Sequence, residues 1–529
     1  MDAQSTISRN VSSYDEEFDV VVVGYGYAGG TAAIEAADAG ARVLLIEKNS
    51  VPGGISICSY GAVRSAKDKD AAFDYLKTTH GGRTPDDVAR ALADGMSGME
   101  DYVRHLAKVN GANVRTNREK AKGANYPLPG WQTFYHTWID RVPDFDARVA
   151  YPWANGAIDG VHLFKTLADN LAQRRVEVRL STRALRLAGV DGSNEVAGIT
   201  IEGPKGIRRI RARRAVILAS GGFEGNDDFR QQFWEGTPVL PAAGGKNTGD
   251  GIRMAQDFGA ALWHMWHFHG SYGFKHTDPK YPYALRTKRL PDWSPGREAE
   301  ANTKMAWILL DRSGRRYMNE CQPYSQDTTQ RPMQYFDPVT QSYPRNPSLF
   351  ICDEKGRKMY ALGRPTSNDE GIRYDWSSDN LKEVELGILK LADSLAELAD
   401  ILGVDKQRAQ ASIQRWNAAC ANGRDEDFGR PAGTMTTIDT PPYYGAPVWC
   451  VCTNTQGGPV HNARQQIIDS FGQPIPRLFS AGEMGSQFGH LYMSGGNIAE
   501  CFVTGRIAGR AAAALKNKDK EAAGAPVVA

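Results

Sequence analysis

Residues 18–30 decide the fold, and they read Phe18-Asp-Val-Val-Val-Val23-Gly24-Tyr-Gly26-Tyr-Ala-Gly29-Gly30. The run that ends at Val23 is apolar and has the length of a strand, and small residues follow the glycines. A second apolar run extends from Arg42 to Ile46 and ends at Glu47. This order predicts a strand, a glycine turn, a helix and a second strand.

Each of the three spaced glycines has its own physical role in such a turn. Gly24 permits the tight turn, Gly26 lets the backbone approach a diphosphate, and Gly29 lets the helix pack closely on the strand. Glu47 would accept hydrogen bonds from a ribose hydroxyl pair and repel a 2′-phosphate. We therefore expect a dinucleotide site, and the alternative is a glycine-rich turn with a purely structural role.

Glycine is more frequent than in an average protein, with 55 glycines among 529 residues against a usual share of about 7%. Many of them fall in separated clusters, which read Gly53-Gly54, Ser220-Gly221-Gly222, Asn247-Thr248-Gly-Asp-Gly251, Gly457-Gly458, Gly482-Glu483 and Ser494-Gly495-Gly496-Asn497. One nucleotide turn does not need so many close backbone approaches. The clusters therefore predict a long, extended ligand.

Charge and hydropathy exclude several classes of protein. The chain carries 63 Lys and Arg against 61 Asp and Glu, a net charge of +2, which argues against a nucleic-acid partner. No run of 18 apolar residues occurs, and residues 1–17 lack a secretory signal pattern, so we expect no integral membrane segment. The seven cysteines form no CxxC pair, so reduced thiols and a cytoplasmic location are expected.

Further elements follow from periodicity and capping residues. Strands are predicted at 176–180 and 448–452, a β-meander at 184–219, and helices at 161–173 and from 497 past 509. Ser394 and Asp405 are predicted N-caps of helices that reach Leu402 and Trp416. The basic segment 270–298 is predicted to be a long ordered loop or lid, with a solvated surface favoured over a polyanion site.

These motifs, taken in order, resemble those of the fumarate reductase and 3-ketosteroid dehydrogenase flavoproteins. The resemblance spans residues 17–515 and also includes Gly314-Arg-Arg-Tyr-Met-Asn-Glu320 and Phe479-Ser-Ala-Gly-Glu483. It implies a Rossmann-like α/β FAD-binding domain, similar to that of glutathione reductase, with an inserted α+β catalytic cap domain. The implied boundaries are a disordered tail at 1–17, FAD-binding segments at 18–275 and 446–515, a cap at 276–445 and a C-terminal tail at 516–529.

The resemblance also implies which residues contact FAD. We expect the cofactor to be noncovalent, because the stretch from Gly53 to Gly61 contains no histidine for attachment. Glu483 would hold ribitol hydroxyls, and the helix that opens near Asn497 would stabilise negative charge on reduced flavin. The predicted cofactor-binding residues are Gly24, Gly26, Tyr27, Ala28, Gly29, Glu47, Lys48, Gly53, Gly54, Ser56, Ser59, Gly61, Ala184, Ala219, Ser220, Gly221, Asn226, Thr248, Asp250, Gly251, Gly482, Glu483, Gly495, Asn497 and Ile498.

The predicted catalytic residues are Tyr324, Tyr492, Ser494 and Gly496. Tyr492-Met-Ser494 resembles the tyrosine and serine relay of 3-keto-5α-steroid 4-dehydrogenases, whereas Tyr492 with Gly496 also resembles the carbonyl site of 1-dehydrogenases. Tyr324 resembles a tyrosine that faces the flavin in ketosteroid dehydrogenases, with Tyr317 as a substitute. The chain departs from fumarate reductases at Pro323 and at Asn454-Thr-Gln456, which replaces paired histidines.

The implied reaction is the 4,5-desaturation of a 3-ketosteroid. Hydrogen bonds to the ketone oxygen make the α carbon acidic, a tyrosinate or a relay removes its proton, and the β hydride goes to flavin N5. The alternatives are 1,2-desaturation, an enoate or enone reductase, and a flavoprotein that serves in assembly or sensing. The expected partners are a small apolar ketone, with a steroid as first choice, and an unidentified electron acceptor.

Three histidines lie close together in Trp263-His264-Met-Trp-His267-Phe-His269. On a single strand His267 and His269 would share one face, and His264 would lie on the other. Such spacing does not favour a metal site, and none is predicted; contact with flavin or substrate, or packing, is expected. Cys450 and Cys452 are predicted to share one face of a strand and to pack in the core.

Overall fold

The computed structural model describes residues 8–291, 303–321 and 324–517. The strands are β1 Glu16–Val23, β2 Val43–Ile46, β3 Val63–Ala66, β4 Asn113–Thr116, β5 Phe134–Arg141, β6 Ala154–Asn155, β7 Glu177–Arg179, β8 Arg183–Gly189, β9 Val196–Gly203, β10 Gly206–Leu218, β11 Val239–Pro241, β12 Leu262–Trp263, β13 Phe268–His269, β14 Tyr272–Lys275, β15 Ala284–Thr287, β16 Ile308–Leu310, β17 Ser348–Asp353, β18 Gly363–Arg364, β19 Ser367–Asn368, β20 Lys390–Ala392, β21 Tyr443–Cys452, β22 Asn454–Thr455, β23 Gly458–Pro459, β24 Gln466–Ile468 and β25 Pro474–Ser480.

The helices alternate with these strands along the chain, and the last helix packs against the first. They are α1 Tyr27–Asp38, α2 Lys69–His80, α3 Asp86–Ser97, α4 Met99–Ala107, α5 Ala147–Ala150, α6 Ile158–Gln173, α7 Asp227–Phe233, α8 Asp250–Gln256, α9 Ser325–Thr328, α10 Gln330–Met333, α11 Glu354–Met359, α12 Leu381–Glu385, α13 Leu395–Leu402, α14 Lys406–Asn422 and α15 Gly496–Ala514. None of the described helices combines the length and the apolar character needed to cross a bilayer.

The first sheet has the strand order β24-β25-β10-β1-β2-β7, and β9 and β8 extend it from β10. The pairs β25/β10, β10/β1, β1/β2 and β2/β7 are parallel. The residues of β2 are all buried, as are the last four of β1. Both faces of this region are therefore covered, which is typical of parallel sheets and explains their unbroken apolar runs.

The glycine turn joins β1 to α1, as predicted. Helices α1 and α15 pack against each other beside the sheet, and this close contact brings the two distant segments of the chain together. The predicted meander is present as β8, β9 and β10, and Ser394 and Asp405 cap α13 and α14 through side-chain hydrogen bonds. The predicted α/β architecture with a second, inserted unit is confirmed.

The second sheet has the order β16-β17-β21-β14-β15-β18, and β11 and β20 also pair with β21. Its pairs are antiparallel apart from β11/β21. The segment predicted to be a long loop or lid contains the hairpin strands β14 and β15, and its residues 292–302 lie outside the described part. The loop prediction was therefore wrong for 272–275 and 284–287, because this sheet supplies the pairing partners that local periodicity cannot show.

Two features refine the predicted segment boundaries. Strands β11 and β14 precede residue 276 but pair into the second sheet, so the chain crosses between the sheets before the predicted start of the cap. Of the predicted N-terminal tail, residues 1–7 lie outside the described part, and Asp15 donates its backbone N–H to Arg209 at 2.9 Å. Of the predicted C-terminal tail, residues 518–529 lie outside it.

The histidine-rich stretch is not one strand. Strand β12 ends at Trp263, His264 has a φ of 54°, and β13 begins at Phe268. The reversal at His264 removes the alternation on which the predicted faces depended. Cys450 and Cys452 are both buried in the core, as predicted.

Candidate functional site

The carboxyl ends of four parallel strands meet at one edge of the first sheet. Gly24, Glu47, Ala219 and Ala481 follow β1, β2, β10 and β25, and all four line a cleft of about 810 Å³. Ligands of open parallel sheets bind at this edge, where the strands end and helix N-termini face outward. The topology therefore assembles the cleft from residues that are far apart in sequence.

The glycine turn leaves no room for side chains. Gly24 has a φ of 103°, and a Cβ there would lie 2.4 Å from the carbonyl oxygen of Ala219. A Cβ on Gly29 would lie 1.8 Å from the carbonyl oxygen of Gly24. Gly26 is the N-cap of α1 and supplies no capping side chain. These positions need glycine for the turn, for helix packing and for an open approach to the start of the helix.

Glu47 is buried and held in place by the backbone. Its carboxylate accepts hydrogen bonds from the N–H groups of Tyr25 at 3.0 Å and Asn49 at 2.9 Å. A carboxylate has about four acceptor positions, so two remain for a hydroxyl pair. Lys48 donates to Thr248 at 2.8 Å and forms an ion pair with Asp250 at 3.2 Å.

A second cavity of about 1300 Å³ continues from the cleft. Tyr27, Ser56, Glu483 and Cys501 line both spaces. The glycine cradle, the Glu47 carboxylate and the continuous length of the two spaces fit a long dinucleotide cofactor such as FAD. This arrangement agrees with the extended ligand that the glycine clusters predict.

The second cavity brings the predicted tyrosines together. Tyr324, Tyr492 and Ser494 line it, and the rings of Tyr324 and Tyr492 are 6.0 Å apart between centroids. The His269 ring stacks on Tyr492 at 3.9 Å. Burial raises the pKa of Tyr492 well above 10, and a hydrogen bond with the Asn497 backbone opposes that rise. Tyr492 is therefore a neutral phenol at pH 7.

Buried polar groups fix the backbone around these residues. Asp327 accepts a hydrogen bond from the backbone N–H of Tyr492 at 3.0 Å and from the hydroxyl of Tyr126 at 2.5 Å. It also lies 3.2 Å from Nε2 of His267. Ser494 donates its backbone N–H to the Asn125 side chain at 2.8 Å. The loop that carries Tyr492 and Ser494 is thus held rigidly from several elements.

The predicted role of Gly496 is not supported by this geometry. Its backbone N–H donates to the carbonyl of Met493 at 2.9 Å, within the turn that begins α15. A Cβ on Gly496 would lie 2.8 Å from the ring of Phe488, so the residue is glycine for packing. Gly496 does not line the second cavity. The Gly496 N–H is thus already engaged within the turn, and its role in holding a substrate carbonyl stays a prediction.

The carboxyl groups of Glu483 and Glu224 lie close together, beside the wall that the cleft and the second cavity share. Glu483 accepts hydrogen bonds from the side chain of Asn454 at 3.1 Å and the backbone N–H of Thr455 at 2.8 Å. Burial raises the pKa of Glu483, and burial together with the charge of Glu483 raises the pKa of Glu224. The pair therefore retains a proton more readily than free carboxyl groups do.

Sequence reasoning missed the cations of the second cavity. Arg286 and Arg289 line it, and the guanidinium carbon of Arg289 lies 5.6 Å from the ring centroid of Tyr324. The basic segment was interpreted as a solvated surface, whereas Arg286 is buried on β15. A signal was present in Tyr283-Ala-Leu-Arg286-Thr, where one arginine interrupts an otherwise apolar and aromatic run.

Most predicted site residues line one of the two spaces, and the others support them. The lining residues are Gly24, Gly26, Tyr27, Ala28, Glu47, Lys48, Gly54, Ser56, Ser59, Ala184, Ala219, Ser220, Gly221, Asp250, Glu483, Gly495, Asn497, Ile498, Tyr324, Tyr492 and Ser494. The supporting residues are Gly29, Gly53, Gly61, Asn226, Thr248, Gly251 and Gly482, of which Asn226 caps α7. Tyr317 donates to or accepts from Ser348 and does not line the cavity.

The three clustered histidines have separate partners. His264 lies 2.8 Å from the carbonyl of Ser486, His267 contacts Asp327, and Nδ1 of His269 lies 2.9 Å from the Gln456 side chain. Burial lowers the pKa of His269 to about 3, so it is neutral. Within residues 8–291, 303–321 and 324–517, no group of three or more His, Cys, Asp or Glu side chains is arranged to hold a metal ion.

Comparison with known proteins adds independent information. A family model described as "FAD binding domain" matches residues 19–498. A fumarate reductase (cytochrome) of Shewanella frigidimarina is 28% identical over 516 residues, which cover 96% of this chain and 79% of that protein.

Two solved structures share the fold across almost the whole chain. The 3-ketosteroid Δ1-dehydrogenase of Sterolibacterium denitrificans, in complex with 1,4-androstadiene-3,17-dione, has a TM-score of 0.76, 22% identity, and coverage of 94% of this chain and 100% of its own. The 3-ketosteroid-Δ4-(5α)-dehydrogenase of Rhodococcus jostii, in complex with 4-androstene-3,17-dione, has a TM-score of 0.65, 22% identity, and coverage of 95% and 98%.

Proposed function

The chain belongs to the FAD binding domain family, and from that premise we propose that it is an FAD-dependent oxidoreductase that desaturates a 3-ketosteroid at the 4,5 bond. FAD is its cofactor, and the absence of a histidine between Gly53 and Gly61 supports noncovalent binding. The coarser activity, oxidoreduction of a carbon–carbon bond, agrees with the flavoenzymes that share its sequence pattern and its fold.

The proposed desaturation of a 3-ketosteroid rests on one observation. Tyr324 is distant in sequence from Tyr492 and Ser494, yet all three line one cavity, together with the proposed flavin contacts Asn497 and Ile498. Because the two tyrosine rings are 6.0 Å apart, both can reach one ring of a flat ketone. Two hydroxyl-bearing aromatic rings beside a cofactor suit a substrate that presents a ketone on a flat apolar ring.

The state of Tyr492 determines how a proton can leave the substrate. Bound FAD would supply the hydride acceptor at N5. Tyr492 is a neutral phenol, so it is a poor base alone and a good hydrogen-bond donor. We therefore assign proton removal to a tyrosine that passes its own proton onward through Ser494, rather than to a free tyrosinate. A hydrogen bond to the ketone oxygen would acidify the α carbon.

Two other reactions fit the same residues and are the alternatives to be tested. A 1,2-desaturation uses the same acid–base chemistry, and one of the solved structures is a Δ1-dehydrogenase. A reductive reaction on an enone or enoate is supported by the 28% identical fumarate reductase. The proposal also includes a cytoplasmic location, an unidentified electron acceptor, and FAD-binding segments that flank a cap, with the first crossing to the second sheet placed before residue 276.

The test mixes the oxidised holoenzyme anaerobically with 5α-androstanedione, androstenedione or fumarate, and follows flavin absorbance and product mass. We expect 5α-androstanedione to bleach the flavin and to yield a 4-ene product. Bleaching by androstenedione alone would favour 1,2-desaturation. If the chemically reduced enzyme is reoxidised by fumarate and neither steroid reacts, the steroid assignment fails.

Tyr492→Phe tests the relay within the same assay. Removal of the hydroxyl should lower the rate of flavin bleaching at least ~100-fold, because general acid–base groups contribute about that much or more. The FAD content should stay unchanged, since the ring is retained. Tyr443→Phe, on β21 away from both cavities, is the matched control and should retain the wild-type rate. A wild-type rate in Tyr492→Phe would remove this residue from the mechanism.

A further inference from the structure

Arg286 is a buried cation in the wall of the second cavity. Arg286 is 8% exposed, and its Nε has no hydrogen-bond partner within the part of the chain that the structure describes. The guanidinium donates to the hydroxyls of Thr453 at 3.1 Å and Thr366 at 3.5 Å. Among the described residues, the groups whose charge acts on Arg286 are Arg289, Tyr324 and Cys58, and none of these is a carboxylate.

Such a group is costly to bury without an anion. Two hydroxyl contacts do not replace the water that a guanidinium loses, and arginine is seldom buried unless it is paired. Burial and the neighbouring Arg289 lower the pKa of Arg286 to about 10, so it still carries its charge at pH 7. An unpaired donor in a cavity wall is therefore available to an anionic group of a ligand.

The positive charge continues beyond the second cavity. Arg286 and Arg289 also line an adjacent pocket of about 520 Å³, together with Lys288 and Arg364. Arg286 on β15 is paired in register with Arg364 on β18, and Lys288 is exposed. The strand pairing thus places a row of cations from the cavity wall to the surface.

Glu320 is the acidic residue that lines that pocket, and its carboxylate is already paired with other arginines. Glu320 accepts from Arg316 at 2.8 Å and lies 3.3 Å from Arg430. It is fully buried in this cluster, and the arginines hold its pKa below the usual value. Glu320 therefore does not neutralise the cations of the row.

We propose that the ketone substrate carries a carboxylate, and that Arg286 binds it in the second cavity while the ketone lies at Tyr492. This inference rests on the proposed function and specifies its substrate class. Lys288 and Arg364 add long-range attraction for the anion. A bidentate guanidinium–carboxylate contact would give the site both affinity and orientation.

The test compares acids with neutral amides of the same shape. The probes are 3-oxo-5α-androstane-17β-carboxylate and 4-oxocyclohexanecarboxylate, each beside its primary carboxamide. Their dissociation constants for oxidised holoenzyme are measured by titration calorimetry, which requires no turnover. We expect at least one acid to bind at least tenfold more tightly than its amide. If each acid binds with the same affinity as its own carboxamide, the proposal is overturned.

Variants of Arg286 test whether this residue is responsible for the preference for an acid over its amide. Arg286→Gln should weaken binding of the preferred acid at least tenfold and leave its amide within twofold, and Arg286→Lys should keep part of the preference. Arg90→Gln is the surface control. Arg90 lies on α3 and pairs with Asp70, and this variant should bind the acid and its amide as the wild type does. Retention of the full preference in a folded, FAD-loaded Arg286→Gln protein overturns the assignment to Arg286.

The midpoint potential of the flavin shows whether Arg286 acts on the substrate or on the cofactor. The flavin midpoint potential of Arg286→Gln should equal that of the wild type. A shifted potential, with acid and amide weakened alike, places Arg286 against the cofactor and overturns the inference. Because binding is measured directly, acid preference without any ketone oxidation would leave the anion site standing while the proposed desaturation failed.

Discussion

Glu500 is fully buried near the start of α15. Its carboxyl group accepts hydrogen bonds from the Ser486 hydroxyl and from the Gln487 backbone N–H, both at 2.8 Å. Burial raises its pKa from 4.5 to about 8. The folded protein therefore binds a proton that the unfolded chain releases above pH 4.5, so stability falls as the pH rises from about 4.5 to about 8.

Glu500→Gln should remove this pH dependence. Relative to the variant, the wild type should lose stability as the pH rises from about 5 to about 8, by at most ~1.4 kcal/mol per pH unit. Thermal unfolding of both proteins at pH 5, 6.5 and 8 measures the difference. The buried histidines titrate in both proteins and cancel in the comparison.

The exposed Glu426 provides the control at this scale. Glu426→Gln should follow the wild type in parallel across the same pH range. If the melting temperatures of the wild type and Glu500→Gln stay a constant distance apart from pH 5 to 8, Glu500 does not hold the extra proton.

At the scale of elements, the crossing of α1 and α15 joins the first and last segments of the cofactor domain. Gly505 lies at this crossing, and a Cβ there would lie 2.7 Å from the carbonyl oxygen of Ala28 and 3.0 Å from Cβ of Thr31. A backbone atom cannot move aside as a side chain can. The two helices therefore need glycine at this position to approach each other.

Gly505→Val should reduce the free energy of unfolding by at least ~2 kcal/mol, as expected for overpacking at a rigid contact. Chemical denaturation of the variant measures the loss. Ala514→Val introduces valine at an exposed position of the same helix without the clash, and it costs some helix propensity, which Gly505→Val does not. Similar losses in both variants would mean that the crossing does not account for the effect.

At the scale of the whole molecule, the cofactor cleft joins residues from both ends of the chain. Glu47 and Ala219 come from the first segment, and Glu483 and Cys501 come from the last. A ligand held by both segments stabilises the folded state by mass action. Arg286 of the second sheet lines the neighbouring cavity together with His269 and Tyr324, so cofactor and substrate sites depend on the same assembly.

Removal of FAD should therefore lower the melting temperature, and FAD at about 100 times its dissociation constant should restore roughly 2.7 kcal/mol. Differential scanning calorimetry of apoprotein with increasing FAD measures the recovery. ADP, which fills only the nucleotide part of the cleft, should restore less. An apoprotein as stable as the holoprotein would show that the cleft is formed without help from its ligand.

The local signals of the sequence determined the elements and the cofactor cleft. A tight turn, a close helix and an acidic strand end need particular residues at fixed spacing, so Gly24, Gly29 and Glu47 could be read directly. Tyr492 and Ser494 were predicted from the resemblance of Tyr492-Met-Ser494 to a family motif, and both line the second cavity. Ser394 and Asp405 were found because a capping side chain acts within its own turn.

Only the tertiary structure decided which polar groups are buried and what faces them. Strands β14 and β15 were missed because their partners are distant in sequence, and Arg286 was misread because its burial follows from that pairing. The occupied N–H of Gly496 depends on the detailed turn before α15. Local conformation is determined by neighbouring residues, whereas burial and charge pairing depend on contacts between segments that the sequence separates.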